Sequence, residues 1–291
     1  MNGVLVRRRT GSTVSRAVEE RGVMSYLALV LLVIGAFVVT APFAWLVLTS
    51  LKPDQELFSQ NPFPQHPTLN NYYNVFQLVP FFTYMRNSLF VASLSTIGTV
   101  ITSSLCGYGF ARLRFWGREP LFIFVLSTLM LPGAVTLVPV FIIWRNLNLI
   151  NTYYPLIVPA WLGGGAFNIF LMRQFLRTIP AELEEAARID GASSLHIWWK
   201  IMLPLAKPAV TTVAIFSFMA SWNDFTGPLI YLNDESLFTL PLGLNKFVSQ
   251  HGTEWGALMA ASTMVAAPMI VLFLVAQRYF VQGIVLTGLK G

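Results

Sequence analysis

EEAARIDGASSLHIWWKIMLPLAKP, Glu184 to Pro208, is a charged, glycine-hinged and proline-ended stretch set between two apolar runs. The alanines, glutamates and leucine of Ala181–Asp190 favour a helix. Pro180 stands just before it, where proline suits a helix start. Glu182, Glu184 and Glu185 sit where the helix dipole favours negative charge. Leu183, Ala186, Ala187 and Ile189 give the helix a weakly apolar side. Gly191 is the residue expected where a helix stops in a left-handed conformation. Ser193 or Ser194 caps a second short helix, which carries Leu195, Trp198, Trp199, Ile201 and Leu203, and Pro204 ends or kinks it. The stretch predicts helix, hinge, helix.

Its surroundings are those of a membrane protein. The chain has 291 residues, 55% hydrophobic and only 11% charged, against about 25% charged in soluble domains. A spanning helix needs about 20 mostly apolar residues. Six runs meet that length, over about 24–48, 87–111, 120–144, 153–176, 208–231 and 257–280. The first is too long for a signal-peptide core of about 7–15 residues and reads as a retained anchor. With the N-terminus inside, the inner segments hold fifteen lysines and arginines and the outer ones four, Lys52, Arg86, Arg145 and Lys246. That bias places both termini and the Glu184–Pro208 stretch in the cytoplasm. The fold expected is an all-α membrane protein of six spans.

The outer segments differ in character. Residues 52–85 carry five prolines among aromatics and predict a turn-rich lid with one short helix. Residues 232–255 are slightly acidic. Both either meet an external partner or cap the bundle. Asp224, beside Trp222 and Asn223, is the only acid within a predicted span. Ionisable groups there are expensive. The three residues either line a polar path for a solute or mark an early helix end. Gly163, Gly164 and Gly165 point to a broken helix or to close packing. Cys106 in an apolar run reads as a packing residue. The thinly spread cations argue against nucleic acid. No metal-ligand spacing, nucleophile–base pair or phosphate-binding G-x-x-x-x-G-K-[ST] loop occurs, so neither a catalytic nor a metal site is assigned. One acid near the rim is a poor set for an ion-coupled secondary transporter.

By pattern alone the stretch either docks on a cytoplasmic partner or rests on lipid through Trp198 and Trp199. It resembles the EAA loop of type-1 permease subunits of ATP-binding-cassette importers: Glu185, Ala186, Ala187, Gly191, Ile201, Leu203 and Pro204 fill that signature at its spacing. EAARIDGA and LPLAKP look like the carbohydrate branch, the maltose-permease second-subunit family. LTSLKP, YGFARLRF, SWNDF and QRYFVQGIVLTGLKG agree, and only a tail over 1–22 lies outside the match. The resemblance implies a type-1 core over about 84–282, a coupling loop over 178–208 and a multi-pass place in a bacterial or archaeal cytoplasmic membrane. It implies a non-catalytic pore subunit that binds no cofactor, paired with a second homologous permease subunit. Two ATPase subunits would hold ATP and Mg, and an extracytoplasmic solute-binding protein would deliver a sugar or oligosaccharide. Related branches carry glycerol phosphates or polyamines. By the same resemblance Glu185, Ala186, Ala187, Arg188, Asp190, Gly191 and Ala192 dock on an ATPase, Glu185 pairing with a basic group there. The tail Thr287–Gly291 is also placed near the ATPases.

Overall fold

Lipid offers backbone groups no hydrogen-bond partners, so a chain this apolar satisfies them within helices. The structure, a computed structural model, describes residues 12–249 and 252–288, with side chains for 25–248 and 253–277. Arg7, Arg8 and Arg9, the side chains of Arg16 and Arg21, and those of the tail over 287–291 lie outside these. α1 (Ser12–Ser50) leads through a turn-rich segment to α2 (Asn70–Leu78), and α3 (Phe81–Arg112) follows. α4 (Arg118–Ser127) and α5 (Gly133–Asn146) are a bent pair; α6 (Tyr154–Trp161) and α7 (Ala166–Thr178) are an interrupted one. α8 (Glu182–Ile189), α9 (Ser194–Ile197) and α10 (Leu203–Leu205) make up the charged stretch, with a π-helical turn over Trp198–Met202. α11 (Lys207–Trp222), α12 (Thr226–Tyr231), α13 (Leu240–Leu244) and α14 (Trp255–Gly288) follow. One short antiparallel ladder pairs β1 (Val248–Ser249) with β2 (Gly252–Thr253).

Among the described residues, four helical stretches are long and apolar enough to cross a membrane: Ser25–Ser50, Phe81–Arg112, Tyr154–Thr178 and Trp255–Gln277. Two more reach that length only as bent pairs, Arg118–Met130 with Gly133–Asn146 (100°) and Ser194–Leu205 with Lys207–Trp222 (84°). The expected straight span over 120–144 is therefore corrected to a bent pair. Its break falls at Leu131 and Pro132: proline lacks the donor and forces the preceding residue out of the helical region, and Leu131 is extended. The span expected over 208–231 stops at Trp222, and a separate short α12 begins at Thr226. Gly163, Gly164 and Gly165 all have positive φ, which interrupts the run from α6 to α7. α3 starts at Phe81, earlier than expected, so the turn-rich segment is shorter than expected.

α3 is the central element. Ser88, Ala92, Ser95, Thr99, Ser103 and Gly107 recur every three or four residues and are buried, a face of small side chains against which α6, α7 and α11 pack. Without a hydrophobic drive between helices in lipid, such close approach is what holds them. At Gly107 a Cβ would stand 2.7 Å from Met172 Cβ and 3.0 Å from Arg173 N. Two apolar clusters mark the ends of α3. Near Phe81 its Tyr84 packs with Val75, Trp222, Leu240, Ala257 and Ala260. Near Arg112, Tyr108 packs with Met172, Leu176, Ala187, Ile197 and Met202. Lys52, at the end of α1, is fully buried, its Nζ donating to Asn61 O at 2.7 Å.

Candidate functional site

The charged stretch folds as helix, turn, helix at the Arg112 end of α3. α8 begins after Ala181 with Glu182, Glu184 and Glu185 in its first turn and Arg188 in its last, both favoured by the helix dipole. It ends in a Schellman turn: Gly191 N donates to Arg188 O at 3.0 Å and Ala192 N to Ala187 O at 2.9 Å. Gly191 has φ +81°, and a Cβ there would meet nothing within 4 Å. The backbone conformation alone therefore demands glycine. Ser193 then caps α9, its Oγ accepting from His196 N at 3.3 Å. Ile197, Trp198 and Met202 anchor the second limb in the core. Leu203 N reaches back to Trp198 O, the wide turn that precedes Pro204. The chain turns at Ala206, two residues beyond the proline expected to end the helix.

The two faces of α8 differ. Glu185, Ala186, Arg188, Asp190 and Gly191 are exposed, as is Ile189 at 86%. Ala187 is not part of that surface: it is buried in the cluster with Tyr108 and Leu176. Ala192 is half-buried against the same cluster. One helical turn brings Glu184 inward with Ala187.

Glu184 is the residue that sequence reasoning missed. Its side chain is only 8% exposed. Oε1 accepts from Tyr108 OH at 3.1 Å and from Arg188 Nη2 at 2.7 Å, and Oε2 lies 3.9 Å from Arg112 Nε. The bond to Glu184 pushes the Arg188 guanidinium further up from its ordinary value. Arg112 Nη2 donates to Leu176 O at 2.6 Å and also to Ile179 O. A buried carboxylate needs paired and hydrogen-bonded partners, and these supply them. The signal was present in YGFARLRF, whose Tyr108 and Arg112 are one turn apart at the end of an apolar run. Arg173, counted among the inner cations, is also buried, with Nη2 on both oxygens of Glu119 at 2.9 and 2.8 Å.

At the other end of the molecule, Trp222, Asn223 and Asp224 do not present one polar face. Trp222 is 1% exposed, stacks on Phe218 and donates to Val265 O at 3.3 Å. Of the two readings, its burial favours packing in the core. Asn223 is exposed and its Nδ2 donates to Met219 O at 2.8 Å, closing α11. Asp224 is half-buried, and its Oδ1 accepts from Gly227 N at 3.0 Å at the start of α12. The two polar residues thus end one helix and begin the next.

The geometry of an exposed helix–turn–helix seated on a helical bundle has close counterparts. Residues 99–286 match the family described as binding-protein-dependent transport system inner membrane component. The chain is 35% identical to the arabinooligosaccharides transport system permease protein AraQ of Halalkalibacterium halodurans, over 92% of this chain and 98% of that one. It is 34% identical to the trehalose/maltose transport system permease protein MalG of Thermococcus litoralis, over 90% and 97%. Among solved structures it superposes with TM-score 0.79 and 25% identity on a chain of a bacterial ABC transporter involved in import of the acidic polysaccharide alginate, covering 94% and 100%. Seven signature residues at their spacing, an exposed turn on a helical bundle and matches along almost the whole length agree: the chain belongs to the binding-protein-dependent inner-membrane permeases of ABC importers.

Proposed function

We propose that this chain is one of two unlike permease subunits of an ATP-driven importer of a sugar or oligosaccharide. The observation that carries this reading is the exposed face of α8 and its Gly191 turn, held on a buried support at one end of the bundle. Relatives named for arabinooligosaccharide, trehalose/maltose and alginate transport support a carbohydrate cargo. In this reading the chain crosses the membrane six times, the α4–α5 pair serving as one span and α11 as another, with α9 and α10 on the cytoplasmic face. The excess of fifteen inner cations over four outer ones supports cytoplasmic termini. Glu185, Ala186, Arg188, Asp190 and Gly191 then contact a cytoplasmic ATPase subunit, with Glu185 on a basic group and Ile189 in an apolar seat.

The chain itself provides the path and the lever; two ATPase subunits bind ATP and Mg. Their closure carries α8 with it and turns the bundle from inward- to outward-facing. An external solute-binding protein meets the segments over 53–79 and 232–254. The test is co-purification with a second permease and two ATPases, followed by carbohydrate uptake into vesicles. Uptake is expected only with ATP and the binding protein. A homodimeric pore that transports without a second permease, or uptake that persists without the ATPases, overturns the reading.

A further inference from the structure

α8 is tied to a helix that neither enters nor leaves the charged stretch. The chain runs into α8 from α7 and out of α9 and α10 into α11, yet the Glu184 carboxylate turns to α3. It accepts from Tyr108 OH at 3.1 Å and faces Arg112 Nε at 3.9 Å, and both partners belong to the last turn and a half of α3. The Arg112 guanidinium also holds the carbonyls of Leu176 and Ile179 at the end of α7. One buried cation therefore joins three elements. Arg112 Nε has no hydrogen-bond partner among the described residues. Its 3.9 Å to Glu184 is about 1 Å beyond a charge-assisted bond of ~2.8 Å, so this contact has slack to be taken up.

The opposite end of α3 is tied just as firmly. Tyr84 OH donates to Glu235 Oε1 at 2.7 Å, and Asn87 Nδ2 donates to Ser236 O at 2.8 Å and Phe238 O at 3.0 Å. Ser88 Oγ accepts from Leu240 N at 2.7 Å. An uninterrupted helix of 32 residues connects the two sets of ties.

We propose that Glu184, Tyr108 and Arg112 form a latch through which displacement of α8 drives α3 as a rod, moving the segment over 232–240 at its other end. The three are positioning residues, and the proposal rests on the reading of α8 as the ATPase-docking element. Glu185 meets the ATPase; Glu184, one residue earlier and a step of about 100° around the helix, delivers the motion. A lever that moved only α7 and α11 needs no buried α8 carboxylate turned to α3.

The experiment uses the complete complex in proteoliposomes and reads solute transported per ATP hydrolysed, beside retention of the ATPase subunits. Glu184→Gln is expected to keep the ATPase subunits and basal hydrolysis while transport per ATP falls about fivefold or more, the range of ordinary inter-site coupling. Arg112→Gln is expected to do the same. The double variant is expected to fall no further than either single one, since residues in one network are non-additive. Tyr108→Phe removes one hydroxyl and keeps the ring; it is expected to assemble and to lower transport per ATP in the same direction. Were Glu184→Gln too unstable to assemble, Tyr108→Phe alone decides. Unchanged transport per ATP in an assembled variant, or losses that multiply in the double variant, overturn the latch. Failure of the docking reading looks different: Glu185→Lys and Gly191→Val would then keep both the ATPase subunits and uptake.

Discussion

At Gly191 the demand is for a backbone angle and nothing else. Cβ has open space there but φ is +81°, a region that costs an L-residue roughly 1–2 kcal/mol. Gly191→Val is expected to lose ATPase co-purification and uptake, Gly191→Ala to lose part, and Gly191→Asn to lose least, because asparagine visits this region readily. Equal loss in all three would point to contact rather than conformation. At Glu185 the expectation concerns charge. If it enters a desolvated pair on the ATPase, Glu185→Lys removes a partner worth about 3–5 kcal/mol, more than a hundredfold in docking at about 1.4 kcal/mol per tenfold. Quantitative pull-down of the ATPases measures it; full retention would remove Glu185 from the contact. At Glu235 the expectation concerns pH. The Tyr84 hydroxyl first, then Lys246, hold its carboxyl below the ordinary 4.5. A depressed value means the tie is at full strength above pH 4.5 and is lost as pH falls through the lower folded value. Hydrogen exchange over 232–240, corrected for intrinsic rates, is expected to loosen only below pH 4.5, and the Glu235→Gln variant is expected to lack that acid step.

At the scale of elements, packing of small faces and helix ends governs. The approach of α7 to α3 at Gly107 leaves no room for a side chain. Gly107→Leu is expected to force the two helices apart at a cost of about 1–3 kcal/mol, read as a lower yield of folded protein and a lower melting temperature in detergent. Asp224 tests the reading of helix ends against that of a solute path. Asp224→Asn keeps a capping side chain and is expected to keep uptake, whereas Asp224→Ala loses a cap worth about 1 kcal/mol. Uptake abolished by Asp224→Asn with normal stability would restore a charged path at this position.

At the scale of the whole molecule, topology is the open quantity that experiment reaches directly. In a Cys106→Ala background, Gln60→Cys on the turn-rich segment is expected to react with an impermeant thiol reagent added from outside. Lys200→Cys beside α9 is expected to react only after the cytoplasmic side is opened. The reverse labelling pattern would invert the orientation and place α8 where no ATPase reaches it.

Features that depend on near neighbours in the chain were legible in the sequence. Run lengths marked where helices are apolar enough for lipid, and Gly191 marked the turn because its φ is set within α8 and the residues beside it. The EAA spacing placed the charged stretch in its family, since those residues lie within one short segment. Which face of each element turns inward depends on contacts between distant parts of the chain and became visible only in the fold. Ala187 and Trp222 lie beside exposed neighbours in the chain, yet both are buried, Ala187 with Tyr108 and Leu176 and Trp222 in the core at the Phe81 end of α3. Glu184 and Glu185 are adjacent and chemically alike, yet a 100° step around the helix sends one to Tyr108, 76 residues earlier in the chain, and the other to the exposed face. Local propensity treats the two glutamates alike. Burial separates them, because a carboxylate can leave water only where distant parts of the chain have already gathered its partners.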